Sequence, residues 1–198
     1  PLFLPQTTTA GNTLLRFVLS SNGANLPPGH DYVLLYDGLG QITVSGSVSN
    51  VNATPGRIQF KVNGPDNIWM NWSASQSGNY LRNLRLLRLE DEHADLVAEP
   101  FYPGFLDKIA PFHMLRFMDW GATNNNPNVQ WSDRTPSSYF TWATPSGVPY
   151  ETMIDLANKT QKDVWICIPH AADANYIQQM AQLFKTRLNP KLKVYLEY

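Results

Sequence analysis

The chain has 198 residues, of which 43% are hydrophobic and only 16% charged, a balance that describes a globular protein with a substantial core. A formal net charge of −1, with no basic run, argues against a nucleic-acid or anionic-membrane partner, and no apolar stretch approaches the roughly 18 residues that span a bilayer. The single cysteine, Cys167, excludes an intrachain disulfide and any multi-cysteine metal site; within "DVWICIPH" it reads as a small buried hydrophobe.

The first half reads as short strands: "LLRFVLS" (14–20), "YVLLYDG" (32–38), "QITVSGSVS" (41–49), "RIQFKVN" (57–63), "IWMNWSAS" (68–75) and "YLRNLRLLRL" (80–89). Breakers separate them at Asn22-Gly23, Pro27-Pro28-Gly29, Asp37-Gly38, Pro55-Gly56, Gly64-Pro65 and Ser77-Gly78. This spacing predicts an antiparallel β-sandwich, jelly-roll-like, over residues 1–95. "YDGLGQITV" reads as a hairpin whose glycines supply the positive φ of a tight turn. Trp69 and Trp72 lie three apart on one strand and face opposite sides. One fills the core; the other is a candidate sugar platform.

Near residue 95 the period changes. A short helix is expected within 103–112, a second over 150–161 with Pro149 at its start, and a third over 173–188. The third has Asp173 as cap, an apolar stripe of Tyr176, Ile177, Met180, Leu183, Phe184 and Leu188, and Asn189-Pro190 as stop. Apolar runs at 113–120, 163–169 and 193–198 alternate with these helices. That is the βαβ pattern of a parallel sheet. Residues 96–198 therefore read as the first part of a (β/α)8 barrel, which needs about 250 residues. The segment 121–148 is long, polar and aperiodic, and such loops usually serve function. Pro1 with no signal-like segment after it, and a strand-like run at the last residues, predict a fragment of something longer. The open strand edge then requires the remainder of the parent chain or another copy.

In parallel α/β architectures sites form at the carboxyl ends of strands. Those ends carry Asp119-Trp120, Pro169-His170 and Glu197-Tyr198. From the long loop Trp131, Asp133, Arg134, Tyr139 and Trp142 can overhang the same face. Each has a structural alternative. Asp119 can cap its loop and His170 the next helix, while Arg116 and Glu197, both within strands, can satisfy each other. His30, His93 and His113 show no ligand spacing with one another or with Cys167, so no metal or other cofactor is expected. Six Trp in a chain rich in Tyr, Asn, Gly and Ser suit a secreted protein that handles carbohydrate, since sugar rings stack on aromatics and their hydroxyls bond polar side chains.

"LRFMDWGATNNNP…WSDR", "GVPYETMIDLANK", "DVWICIPHAADANYIQQMAQLFK" and "LNPKLKVYLEY" resemble a family of large secreted cellulose-binding or glycoside-hydrolase-like proteins. In that family a β-sandwich precedes a (β/α)8 barrel of the retaining glycoside hydrolase kind. The resemblance spans about residues 30–198 and is strongest over 112–198. It implies that the last strand runs on into an Asn-Glu pair carrying the acid/base carboxylate, beyond Tyr198, and that the nucleophile follows later. It also implies that Arg116 and His170 are substrate-side residues at the ends of barrel strands two and three, with Glu197 deeper on the face of the missing Glu.

The expected site is therefore a substrate-binding one, comprising Arg116, Asp119, Trp120, Trp131, Trp142, His170 and Glu197, with no catalytic residue assigned. Its partner is a β-linked polysaccharide or oligosaccharide. The alternatives are a non-catalytic carbohydrate-binding protein and an extracellular structural protein.

Overall fold

The computed structural model describes residues 15–20, 26–139 and 141–198. Leu14 and the turn expected at Asn22-Gly23 lie outside them. The chain divides into two units, Pro1–Asp95 and Leu96–Tyr198.

The described part of the first unit contains β1 (Leu15–Ser20), β2 (Asp31–Asp37), β3 (Gly40–Gly46), β4 (Val48–Thr54), β5 (Arg57–Val62), β6 (Ile68–Ser75) and β7 (Arg82–Arg88). They form two antiparallel sheets, ordered β1-β6-β3 and β4-β5-β2-β7. Alternation decides which side chains meet. Ile58, Phe60 and Val62 of β5 and Ile68, Met70 and Trp72 of β6 enter one buried cluster with Leu34 of β2 and Val44 of β3. Both sheets thus share a core, in the manner of a sandwich. Each such side chain contributes roughly 1.5–3 kcal/mol through burial.

"YDGLGQITV" is not a hairpin: β2 pairs with β5 and β7, whereas β3 pairs with β6. The chain turns at Gly38 but crosses from one sheet to the other. Gly38 has φ +88°, and a Cβ there would collide with the Tyr80 carbonyl. The run 41–49 is likewise not one strand. It breaks after Gly46 (φ +102°), and β4 begins on the other sheet. The strand pattern does not reveal β4 beyond Ser49 because it is an edge strand, exposed at every residue from Asn50 to Thr54, so no apolar alternation marks it.

The second unit contains α1 (Pro103–Ile109), β8 (Met114–Arg116), α2 (Tyr150–Thr160), β9 (Asp163–Cys167), α3 (Ala174–Arg187) and β10 (Val194–Glu197). Its three strands form a parallel sheet, ordered β10-β9-β8. Asp173 caps α3, its carboxylate accepting the Tyr176 N–H at 2.6 Å. Gln161 ends α2 in the left-handed conformation. One face of the sheet packs against the helices: Val164 and Ile166 join Met153, Ile154, Leu156, Tyr176, Met180 and Phe184 in a second core. The sheet is open, and the described strands close no barrel.

The first of these strands is shorter than its apolar run. After Arg116 only the Phe117 N–H still bonds Trp165, and the chain then coils through bonds from Gly121 to Phe117 and from Thr123 to Met118. Asp119 and Trp120 consequently sit in a turn rather than at the strand's end. Gly121 and a left-handed Ala122 (φ 48°) make that turn.

Candidate functional site

The parallel sheet has a second face that α2 and α3 do not cover. Alternation sends Arg116 of β8, Trp165 and Cys167 of β9, and Tyr195 and Glu197 of β10 to it, because their strand neighbours Leu115, Val164 and Ile166 face the helices. Register sets Arg116 beside Trp165 and Glu197 beside Cys167. A positive, an aromatic and a negative side chain therefore gather on one face of three adjacent strands, Arg116 and Glu197 at the carboxyl ends of β8 and β10 and Trp165 at the middle of β9.

Glu197 is the centre of this arrangement. Arg116 donates to it from Nε (3.2 Å to Oε2) and from Nη2 (2.8 Å to Oε1 and 2.6 Å to Oε2). Trp165 Nε1 donates to Oε2 at 2.9 Å, and the Cys167 thiol at 3.1 Å. The Arg116 guanidinium lies 4.9 Å from the centroid of the Trp165 ring, a cation–π contact. These donors act on charge. Arg116, and after it Cys167, hold the Glu197 carboxyl below the usual carboxylate range, and Glu197 raises Arg116 in return. Burial, and after it Glu197, pushes the Cys167 thiol up. Both side chains of the ion pair keep about two-fifths of their surface exposed, 43% for Arg116 and 40% for Glu197, so solvent screens their attraction.

The remaining expected site residues are dispersed. Asp119 and His170 are exposed. Asp119 makes no side-chain hydrogen bond among the described residues, and His170 contributes only its carbonyl, to Tyr198 Oη at 3.5 Å. Trp120 turns to the helix side, stacked on Phe105 (6.4 Å, 20°) and tilted on Phe117 (5.4 Å). Trp142 is 41% exposed and shares a cavity of about 770 Å3 with Trp120. Trp131 is half-buried among three partners: Tyr150 lies nearly parallel to it (6.1 Å, 8°), Tyr176 meets it edge-on (5.3 Å), and the Arg134 guanidinium sits 4.2 Å from its centroid. Its ring is a packing element rather than a free platform.

The long loop is held by its own polar groups. Asn126 donates to the Gly121 carbonyl and accepts from the Asn128 N–H. Asp133 accepts from the backbone of Val129 and Gln130. Ser146 donates to Asn128 and to the Asp133 carbonyl. Arg134 grips Glu151 of α2 through two bonds of 2.9 Å. Asn126 and Asn128, both 1% exposed, are the inner posts of this arrangement.

In the sandwich Trp72 is in the core, and Trp69 lies on the outer face of its sheet beneath Arg16 (5.3 Å). Beside it Asn71 accepts from Arg16 at 2.9 Å and donates to Ser45 at 2.8 Å. Among the described residues no three His, Cys, Asp or Glu are grouped to hold a metal ion, and no helix is long and apolar enough to cross a membrane.

The sequence reading missed Trp165 as a site residue. Its signal was available: in "DVWIC" the even-spaced Trp165 and Cys167 take the face opposite to Val164 and Ile166. Comparisons with protein-family models, with curated proteins and with solved structures find no match to this chain.

Proposed function

We propose that this chain belongs to a secreted glycoside-hydrolase-like protein that binds a β-linked polysaccharide, with its three parallel strands forming part of a (β/α)8 barrel. The observation that carries the reading is the Arg116–Trp165–Glu197 array on the uncovered face of the sheet. In a barrel that face is the inner wall, and the carboxyl ends of its strands are where substrate is met. An ion pair with exposed edges offers donors and acceptors to sugar hydroxyls, and Trp165 adds a ring beside them. The uncovered apolar side chains of the last strand, Val194 and Leu196, fit a further βα unit, or another copy, packing along α3 and β10.

Binding without turnover by these residues is favoured by one further observation. A general acid must hold a proton near neutral pH, and Arg116, Trp165 and Cys167 all stabilise the ionised form of Glu197. No catalytic role is assigned to it.

The test is co-sedimentation with insoluble β-glucans, comparing the unaltered chain with Arg116→Ala and Glu197→Gln. Retention of the unaltered chain and about tenfold weaker retention of both variants is the expected result. Equal retention of all three would remove the open face from the reading, and no retention by any glucan would remove polysaccharide binding itself.

A further inference from the structure

The cavity on the helix side of the second unit is separate from the open face. Phe117, just after β8, and Trp120, in the turn that follows, pack on the helix side, whereas Arg116 faces the other side. The floor is the stacked pair Phe105 and Trp120, and Phe117, itself buried, packs against Trp120 and fixes that ring. The walls carry Phe101, Tyr102 and Trp142. At about 770 Å3 the cavity is of the size that holds small ligands, about 300–1,000 Å3.

Its chemistry selects an occupant. Its apolar lining is more aromatic than aliphatic: Phe101, Tyr102, Phe105, Trp120 and Trp142 outnumber Val97, Pro100 and Val148. Tyr102 and Trp142 keep 46% and 41% of their surface exposed, which leaves ring area open to a ligand. Aromatic faces are electron-rich and attract the polarised C–H groups of a sugar ring more strongly than the less polarised C–H groups of an aliphatic chain. The hydroxyl-bearing Ser137 and Thr152 line the same cavity and can reach ring hydroxyls. Among the described residues that line it, Asp155 is the one carboxylate, paired with Arg187 at 3.2 Å, and none is a lysine or arginine. A site of this kind neither repels nor rewards charge, so it suits a neutral ligand.

The geometry points to a second saccharide site here, taking a short neutral β-linked oligosaccharide that stacks between Trp142 and Tyr102 above the Phe105–Trp120 floor. The β linkage rests on the functional reading above. The stacking mode and the neutrality rest on the groove alone.

Nitrogen-15 NMR of the tryptophan indoles separates the two sites in one experiment, because Trp120 and Trp142 report the groove and Trp165 the open face. Cellohexaose and laminarihexaose are the neutral probes, trigalacturonate the anionic one and dodecanoate the aliphatic one. At least one neutral probe is expected to shift the Trp120 and Trp142 signals, with affinity reduced tenfold or more in Trp142→Ala and in Tyr102→Ala, both checked for an unchanged melting temperature. Lys185→Gln, exposed on α3 and outside both the groove and the open-face array, is expected to stay within twofold. Shifts confined to Trp165 would overturn the groove site while upholding the open-face reading. Silence of the groove indoles toward both neutral probes would overturn it as well. Trigalacturonate binding as tightly as the neutral probes would refute the neutrality, and dodecanoate moving these indoles where no sugar does would refute the saccharide.

Discussion

Arg116 and Glu197 meet at 2.6 Å although they lie 81 positions apart and on strands that do not pair with each other. The bond reaches over β9, whose Trp165 touches both partners. The pair therefore ties together all three strands of the sheet. Its stability depends on pH with a definite sign. Glu197 is held below the ordinary carboxylate range, chiefly by Arg116, so the stabilisation is complete above the unfolded value of about 4.3 and disappears as pH falls through the lower folded value. The melting temperature of the unaltered chain should exceed that of Glu197→Gln at pH 7. The gap should start to close below about pH 4.3, and differential scanning fluorimetry from pH 7 to pH 3 measures it. A gap independent of pH would mean that the Arg116 contact contributes nothing in solution.

Trp131 and Trp142 had the same standing in the sequence, as aromatics of one polar loop, and the structure separates them. Trp131 is enclosed by Tyr150, Tyr176 and Arg134, whereas Trp142 stands at the cavity's edge. Trp131→Ala should therefore destabilise the second unit by roughly 2–4 kcal/mol, toward the cost of truncating a large core aromatic, and Trp142→Ala by less than about 1 kcal/mol. Urea unfolding followed by near-ultraviolet circular dichroism reads both. Equal losses would mean that the Tyr150–Trp131–Arg134 stack does not form.

The elements of the second unit were legible because their signals are local. The third helix has its cap at Asp173 and its stripe through Tyr176, Met180 and Phe184, and the structure places it at Ala174–Arg187. Glu197 could be matched to Arg116 from charge and strand position alone. What could not be read were features set by distant partners. β4 pairs through backbone groups with little apolar alternation, and the partner sheet of β3 is decided by burial of Ile42 and Val44 across the sandwich rather than by the turn before it. The division of Trp120 from Arg116 onto opposite sides of one sheet depends on where β8 stops, and the turn at Gly121 decides that.

Tyr150 and Tyr176 place their hydroxyls 3.0 Å apart in the core of the second unit. Burial raises the pKa of both hydroxyls above the ordinary tyrosine value, strongly so at Tyr150, where the neighbouring Tyr176 adds to the effect. Folded tyrosines that stay neutral while unfolded ones ionise near pH 10 make stability fall as pH rises above that value. Tyr150→Phe should cost about 1–2 kcal/mol at pH 7 by leaving the Tyr176 hydroxyl short of its bond, and the double change Tyr150→Phe/Tyr176→Phe should cost less than the sum of the singles. A double-mutant cycle in urea at pH 7 and pH 10.5 tests both statements. Additive costs would show that the two hydroxyls do not interact.

Retaining glycoside hydrolysis needs two carboxylates about 5 Å apart, one of them protonated before it acts on the leaving oxygen. On the open face Glu197 stands at the carboxyl end of its strand but is ionised by its donors. Asp163, on the same strand face as Trp165, lies at the opposite end of β9 and accepts the Lys193 N–H at 2.8 Å. Asp119 stands in the turn after β8, three residues beyond Arg116. These groups do not make an acid and a nucleophile, so the 198-residue chain should leave aryl β-glycosides and soluble β-glucans uncleaved between pH 4 and pH 8, even under conditions in which it binds them. Release of aryl alcohol and of reducing ends are the measurements. Turnover that Glu197→Gln abolishes would show that this carboxylate gains a proton when substrate is bound, and that the array around Arg116 is catalytic.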